Sequence, residues 1–105
     1  MELNHLEQKA QQASTLLKAM SNQSRLLILC QLNEGEKSVG ELERIVGLSQ
    51  SALSQHLARL RRDKLVKTRR EAQTIFYSLH GDEALRVIKT LYGLYCDTSS
   101  NAAAA

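Results

Sequence analysis

The sequence lacks any run of about eighteen apolar residues, and its start lacks the pattern of a signal peptide. These absences exclude a helical membrane span and predict a cytoplasmic protein with no membrane partner. Cysteine is scarce, because the 105 residues include only Cys30 and Cys96 and no C-x-x-C spacing. The disulfide framework that holds many small secreted domains together is therefore excluded.

Patterns typical of enzymes are missing as well. The chain has no Cys–His or Ser–His arrangement, phosphate-binding loop or paired carboxylates, so an enzyme is not predicted. The three histidines, His5, His56 and His80, are scattered. His56 borders an apolar stripe, where a packed or hydrogen-bonded role is favoured over a ligand role. We expect no metal ion and no cofactor.

The apolar content of 43% is enough for one domain with a modest core. We predict this domain at residues 1–98, followed by a disordered tail at 99–105, partly of expression-vector origin. Basic residues are unevenly spread: seven of the fourteen Lys and Arg fall between Arg59 and Arg70, where only Asp63 opposes them. This concentration indicates a nucleic-acid contact surface, with a solvated charge run as the alternative.

The stretch from Leu48 to Arg62 predicts a helix with its own start signal at Ser49, a suitable N-cap. One side carries a narrow apolar stripe of leucines at helical spacing. The opposite side has no carboxylate, which indicates contact with a polyanion. The stripe is Leu53, Leu57 and Leu60, and the polar side is Ser51, Gln55, Ala58, Arg59 and Arg62.

A short helix precedes this stretch. Ser38 and Glu41 match a capping box, the helix continues to Val46, and Gly47 can adopt the left-handed conformation that ends it. A short helix, a turn with Gly and a basic second helix make a helix-turn-helix, whose second helix enters the major groove of DNA.

The flanking segments complete the predicted fold. An amphipathic helix from about residue 4 to Met20 and an apolar helix at about 23–33, expected to be the buried centre, come first. After the helix-turn-helix, β-rich runs at 65–70 and 74–79 predict a hairpin with a connection at 71–73. A hairpin in this position is the wing of a winged helix. Its tip carries Arg69, Arg70, Gln73 and Thr74.

The last helix is predicted from about Asp82 to Cys96, and its apolar residues cover about half of its circumference. One core requires only a stripe of roughly 100°. The first helix has the same surplus, so we predict a homodimer through the terminal helices, suited to a pseudo-palindromic operator. The predicted fold class is mainly α with a β-hairpin wing, a winged helix-turn-helix.

This order of elements resembles the ArsR/SmtB family of winged-helix repressors over Leu16 to Cys96, nearly the whole folded chain. The resemblance is carried by residues 17–20, 25–30, 48–60 and 69–79. With one cysteine in the second helix and one ending the last, the chain is most similar to the branch called BigR or SqrR. That resemblance implies a repressor of sulfide-detoxification genes that senses reactive sulfur species or oxidants. Its implied sensors are Cys30 and Cys96, which release DNA on forming a disulfide or polysulfide bridge.

Two alternatives of the same fold stay open. The haemolysin activator of Vibrio belongs to the same close group, which leaves an activator that opposes silencing. Metal-sensing repressors are the other large theme of the family, but their Cys-x-Cys ligands correspond here to Ser38 and Gly40. Late in the last helix, where zinc sensors have His and Glu, this chain offers Leu94 and Asp97. A module that binds protein through its helix-turn-helix is the alternative from another class.

The predicted DNA contacts divide into two kinds. Gln55 and Ser51 are expected to read base edges in the major groove of double-stranded DNA, close to the small Ala58. The arginines are expected mainly at phosphates, although a wing arginine can also enter the minor groove. The family's frequent Gly after the recognition helix is Lys64 here, and a left-handed conformation there would cost about 1 kcal/mol. The full predicted DNA-contact set is Ser49, Gln50, Ser51, Ser54, Gln55, Arg59, Arg62, Arg69, Arg70, Gln73 and Thr74.

Overall fold

The computed structural model describes residues 2–96, so the predicted tail and the domain boundary at residue 98 lie outside the described part. A winged helix-turn-helix that is mainly α is confirmed. A π-helical segment, Tyr92–Cys96, continues the last helix. The elements are α1 (Leu3–Met20), α2 (Gln23–Asn33), β1 (Lys37–Ser38), α3 (Val39–Val46), α4 (Gln50–Arg62), β2 (Val66–Glu71), β3 (Thr74–Leu79) and α5 (Glu83–Leu91).

Both hydrogen bonds of the capping box predicted at the start of α3 are present. The Glu41 amide donates to Ser38 Oγ at 3.1 Å, and the Ser38 amide donates to Glu41 Oε1 at 3.0 Å. The helix ends at Gly47, whose φ of 74° is the left-handed conformation that glycine adopts without steric cost. The start of α4 is fixed by Ser49, whose Oγ accepts from the Ala52 amide at 3.2 Å. Local side-chain chemistry thus sets the turn between the two helices.

The core lies where the inner faces of the helices meet the base of the wing. In α2, Ile28, Leu29 and Leu32 are buried, but Leu27 is 45% exposed. The prediction that α2 is the buried centre of the domain is therefore confirmed for these three side chains, whereas the side that carries Leu27 is exposed. Helices α1, α3, α4 and α5 and strand β3 pack against α2. The largest fully buried side chains are Ile28, Leu29, Leu42, Leu53, Leu57, Leu60, Val66 and Ile88.

The predicted hairpin is confirmed as β2 and β3, and it belongs to a three-stranded antiparallel sheet in the order β1-β3-β2. Strand β1 was missed because two residues carry no alternation pattern. The turn is Ala72-Gln73, since Glu71 pairs with Thr74 inside the ladder.

Two residues other than glycine have a left-handed backbone conformation: Lys64 has a φ of 63° and Ala72 a φ of 55°. The chain therefore adopts the left-handed turn after α4 without a glycine, at a cost of about 1 kcal/mol.

Apolar side chains remain uncovered on both terminal segments of the single chain. On α1, Leu3, Leu6 and Leu17 are between 52% and 67% exposed. On the π-helical segment, Leu94 is 66% and Tyr95 76% exposed. The apolar surplus predicted for the terminal helices is therefore present on the surface. None of the helices described is both long enough and apolar enough to cross a membrane.

Candidate nucleic-acid interface and cysteine pair

Helix α4 separates an apolar side from a polar side. Leu53, Leu57 and Leu60 are at most 2% exposed, which fixes the rotation of the helix about its axis. Exposure of Ser51 and Gln55 on the opposite side follows directly from that rotation. The predicted contact face of α4 therefore points away from the core. Its exposed members are Ser51, Ser54, Gln55, Ala58 and Arg62, preceded by the exposed Ser49 and Gln50, with Arg59 partly exposed.

Within residues 2–96, Asp63 is the acidic residue that pairs with the arginines at the end of α4. Arg59 Nε lies 3.5 Å from Asp63 Oδ2, and Arg62 Nε lies 3.4 Å from Asp63 Oδ1. Both distances are long for charge-assisted hydrogen bonds. The side chains of Arg59 and Arg62 are 40% and 68% exposed, so their terminal nitrogens can reach an external anion. The surface at this end of the helix is therefore basic.

A groove of about 640 Å³ separates α4 from the wing. Ile75 and Tyr77 line it from β3, and Arg61 and Arg62 line it from α4. Arg61 was not among the predicted contacts, although it lies within the basic run. Alternate residues of a strand point to opposite faces, and directly paired residues share one face. Arg70 pairs with Ile75, so it shares the face of the wing that borders this groove.

The remaining predicted wing contacts differ in their surroundings. Gln73 and Thr74 are exposed at the tip. Arg70 is also exposed, and it has no ion pair within residues 2–96. Arg69 lies on the other face of the wing, where its guanidinium is held by Glu36 and Glu71. The two neighbouring arginines, predicted alike from the sequence, thus have different partners.

His56 has the hydrogen-bonded role that its sequence position predicts. Its Nδ1 lies 3.4 Å from Arg25 Nη1, and the ring is half-buried behind the contact face of α4. Arg25 also donates from Nε to the Ala19 carbonyl at 2.5 Å and from Nη2 to the Lys18 carbonyl at 3.3 Å. One side chain of α2 therefore joins the end of α1 to α4. Residue Arg25 was missed because these partners are distant in sequence or belong to the backbone.

Cys30 and Cys96 are both free thiols. Cys30 is half-buried in α2, whereas Cys96 is exposed at the end of the π-helical segment. Burial raises the pKa of the Cys30 thiol, and the charge of Cys96 raises it further. A hydrogen bond from the Tyr92 side chain acts in the opposite direction and lowers the pKa of Cys30, but the net shift is upward. The fold thus brings Cys96 and Tyr92 close enough to Cys30 to act on its ionisation, although Tyr92 was not singled out in the sequence.

The π-helical backbone of Tyr92–Cys96 sets the direction in which the Cys96 side chain points. A π-helix closes i→i+5 hydrogen bonds, and such segments occur frequently at functional sites. The segment Tyr92–Cys96 therefore presents Cys96 at a different angle from a continued α-helix. In the part of the chain from residue 2 to residue 96, no three His, Cys, Asp or Glu side chains are grouped as a metal site requires.

The chain is similar to known bacterial proteins in both sequence and structure. Residues 22–68 match the family model described as "Bacterial regulatory protein, arsR family". The chain is 54% identical over 99 residues to the transcriptional activator HlyU of Vibrio cholerae, covering 94% of this chain and 92% of the relative. The solved structure of reduced HlyU from that organism matches with a TM-score of 0.87 and 56% identity, covering 90% of this chain and all of that one.

Two further relatives differ in their named roles. The biofilm growth-associated repressor of Agrobacterium fabrum is 44% identical over 96 residues, covering 91% of this chain and 82% of the relative. A homodimeric winged helix-turn-helix DNA-binding domain from Mycobacterium bovis, solved by NMR, matches with a TM-score of 0.76 and 26% identity. That match covers 90% of this chain and 87% of the other. The relatives thus include an activator, a repressor and a homodimer.

Proposed function

Because the chain belongs to the arsR family of bacterial regulatory proteins, we propose that it is a dimeric transcriptional repressor that reactive sulfur or oxidants release from operator DNA. The observation that carries this proposal is the combination of two features in one small domain. A carboxylate-free contact face on α4 lies at one surface, and two free thiols lie in α2 and at the end of the π-helical segment that continues the last helix.

The DNA-binding part of the proposal assigns roles by position. Gln55 and Ser51 are exposed at the centre and start of α4, where side chains reach base edges in the major groove. The small Ala58 lets the helix lie close to the bases. Arg62 lines the groove between α4 and the wing, Arg70 lies on the wing face that borders it, and both are suited to contact phosphates. The remaining predicted contacts are Ser49 at the N-cap of α4, Gln50, Ser54 and Arg59 on α4, Gln73 and Thr74 at the wing tip, and Arg69 on the other face of the wing.

The dimer is proposed from the uncovered apolar side chains of α1 and the π-helical segment. Leu3, Leu6 and Tyr95 are each more than half exposed in the single chain. Contact with a second copy removes this surface from water, and a two-fold dimer presents two recognition helices to a pseudo-palindromic operator. The homodimeric Mycobacterium bovis relative supports the same arrangement.

The sulfur chemistry is proposed from the unequal exposure of the thiols. Cys96 is exposed, so its thiolate can take the outer sulfur of a low-molecular-weight persulfide and release the parent thiol. The Cys30 thiolate then attacks Cys96 Sγ, which forms a disulfide and releases hydrosulfide. If Cys30 carries an extra sulfur as well, the same displacement leaves three sulfurs in the bridge. With peroxide, a sulfenic acid on Cys96 gives the disulfide and water.

Either bridge would tie the end of the last helix to α2, against which α3 and α4 pack. A shift of α2 therefore changes the tilt or spacing of the two recognition helices in a dimer. Because two half-sites must be matched together, a small misfit lowers affinity. The description of one close relative as reduced supports an oxidisable group in this branch. Reduction by cellular thiols would restore binding.

Binding of a selected operator by the wild type, Cys30→Ser and Cys96→Ser before and after persulfide treatment tests this proposal. All three proteins should bind when untreated, and only the wild type should lose affinity after treatment. If either single variant still releases DNA as the wild type does, the cysteine pair is not the switch. A metal-sensing repressor of the same fold is the less favoured alternative, because Ser38 and Gly40 stand where metal sensors of the family have Cys-x-Cys.

A second candidate is an activator that displaces a silencing protein. It is favoured by the 54% identity to a transcriptional activator. Both candidates use the same DNA surface, and they differ in the effect of binding on transcription. Transcription from the selected site with and without the protein, in the absence of any silencing protein, separates them: a repressor lowers it and an anti-silencing activator leaves it unchanged.

A further inference from the structure

Arg69 has three close partners on the face of the wing opposite the groove, although its side chain is 50% exposed. Its Nε and Nη2 donate to the two carboxylate oxygens of Glu36 at 2.8 and 2.7 Å, and its Nη1 donates to Glu71 at 2.8 Å. The guanidinium carbon also lies 4.4 Å from the centre of the Phe76 ring. Every nitrogen of the guanidinium is therefore engaged, and one face of its plane is covered.

The contacts of Arg69 extend across all three strands of the sheet. Arg69 on β2 pairs with Phe76 on the central strand β3, and Phe76 pairs with Ser38 of β1 on its other side. Glu36 lies just before β1, in the connection that follows α2. The Arg69 side chain thus passes over the Phe76 ring and reaches the far edge of the sheet. A planar guanidinium is suited to this bidentate, stacked geometry, whereas a lysine ammonium is not.

The electrostatics disfavour Arg69 as a phosphate contact. Two carboxylates surround one guanidinium, so the group of three has a net negative charge. The hydrogen bond from Arg69 lowers the pKa of Glu36, so that carboxylate stays ionised at neutral pH and at more acidic pH than an ordinary glutamate. Arg70, by contrast, has no ion pair in the described residues and lies on the groove face.

We propose that Arg69 and Glu36 form a clamp that positions the wing for DNA binding, and that Arg70 is the wing arginine that contacts phosphate. Arg69 is then a positioning residue, which acts by joining β2 to the segment after α2. Since α2 carries Cys30, the clamp also connects the wing to the helix that the proposed sulfur bridge would pull. This inference rests on the DNA binding proposed above and replaces the phosphate contact predicted for Arg69 from the sequence.

Binding of the selected operator over a series of salt concentrations tests the clamp, with the full-length reduced protein and the variants Arg69→Lys, Glu36→Gln and Arg70→Ala. Glu36→Gln keeps the shape of the side chain, and Arg69→Lys keeps the charge. Each should weaken operator binding by roughly 2- to 30-fold, the range for couplings carried through contact networks. The slope of log affinity against log salt should stay at the wild-type value in both. The single variants Arg69→Ala and Glu36→Ala should also weaken binding, and the double variant that combines them should bind no more weakly than the weaker-binding of the two.

Arg70→Ala is the matched control from the adjacent position. It should weaken binding and make the salt slope shallower by about 0.9, the change expected for one lost phosphate contact. The clamp is overturned if Arg69→Lys binds like the wild type while Arg69→Ala makes the slope shallower. It is also overturned if Glu36→Gln tightens binding, because the carboxylate would then be competing with DNA. A wild-type protein that binds no DNA would overturn the proposed function together with the clamp.

Discussion

At the residue scale, the environment of Cys30 decides how the proposed switch responds to pH. Burial and the nearby Cys96 raise the pKa of the Cys30 thiol, so its thiolate fraction at neutral pH is smaller than that of an ordinary cysteine. Only the thiolate attacks a persulfide sulfur or an alkylating reagent. The second step of bridge formation should therefore accelerate as pH rises, until Cys30 is ionised.

Alkylation of Cys30 over a range of pH, followed by mass spectrometry, measures this ionisation. In the wild type the midpoint should lie above the ordinary value of 9.0. Cys96→Ser should move the midpoint down, because the charge of Cys96 raises the pKa of Cys30. Tyr92→Phe should move it up, because the hydrogen bond from Tyr92 lowers that pKa. A midpoint below 9.0 in the wild type would show that the surroundings favour the thiolate.

At the element scale, α4 carries the proposed sequence readout. Gln55→Ala should reduce the ratio of operator affinity to random-DNA affinity, because a bidentate contact to a base contributes about 1–3 kcal/mol of discrimination. Arg62→Ala is the matched control on the same helix: it should weaken binding to both DNAs alike, since phosphates carry no sequence information. An unchanged ratio in Gln55→Ala would contradict the base-reading assignment.

The elements that the sequence predicts well are those set by local chemistry. The caps at Ser38 and Ser49 and the leucine stripe of α4 depend on residues within one or two turns, and the structure confirms them. Strand β1 was not predictable in this way, because its two residues pair with β3 across a long stretch of chain. The partner of Arg69 was missed for the same reason, since Glu36 is 33 positions away in sequence.

The exposed side of α2 and the surroundings of the cysteines were also not predictable from local sequence. The apolar composition of α2 predicted burial, but which side faces the core depends on where α5 and β3 pack. Leu27 is consequently exposed although its neighbour Ile28 is not. The cysteine pair was suggested by resemblance rather than by spacing, and the hydrogen bond of Tyr92 with Cys30 joins residues that are distant in sequence, so no local pattern predicts it.

At the scale of the whole molecule, the terminal helices should hold two copies together. The wild type should sediment as a dimer at micromolar concentration, and Leu6→Glu should shift it toward monomer. Burying one leucine contributes about 1.5–3 kcal/mol, and two-fold symmetry applies each substitution twice. Ile45→Glu is the matched control, because Ile45 is 47% exposed against 52% for Leu6 but lies on α3. A well-folded wild-type monomer at that concentration would contradict the interface and the palindromic operator.

The central claim is that a bridge between Cys30 and Cys96 lowers DNA affinity. The most direct measurement titrates the protein with a persulfide and determines two quantities on each sample. Intact mass and peptide mapping give the fraction of chains bridged between the two cysteines, and anisotropy of a labelled operator gives the fraction of protein competent to bind. We predict that binding falls in proportion to the bridged fraction and returns when a thiol reductant removes the bridge. Bridged protein that binds the operator as tightly as reduced protein would contradict the account.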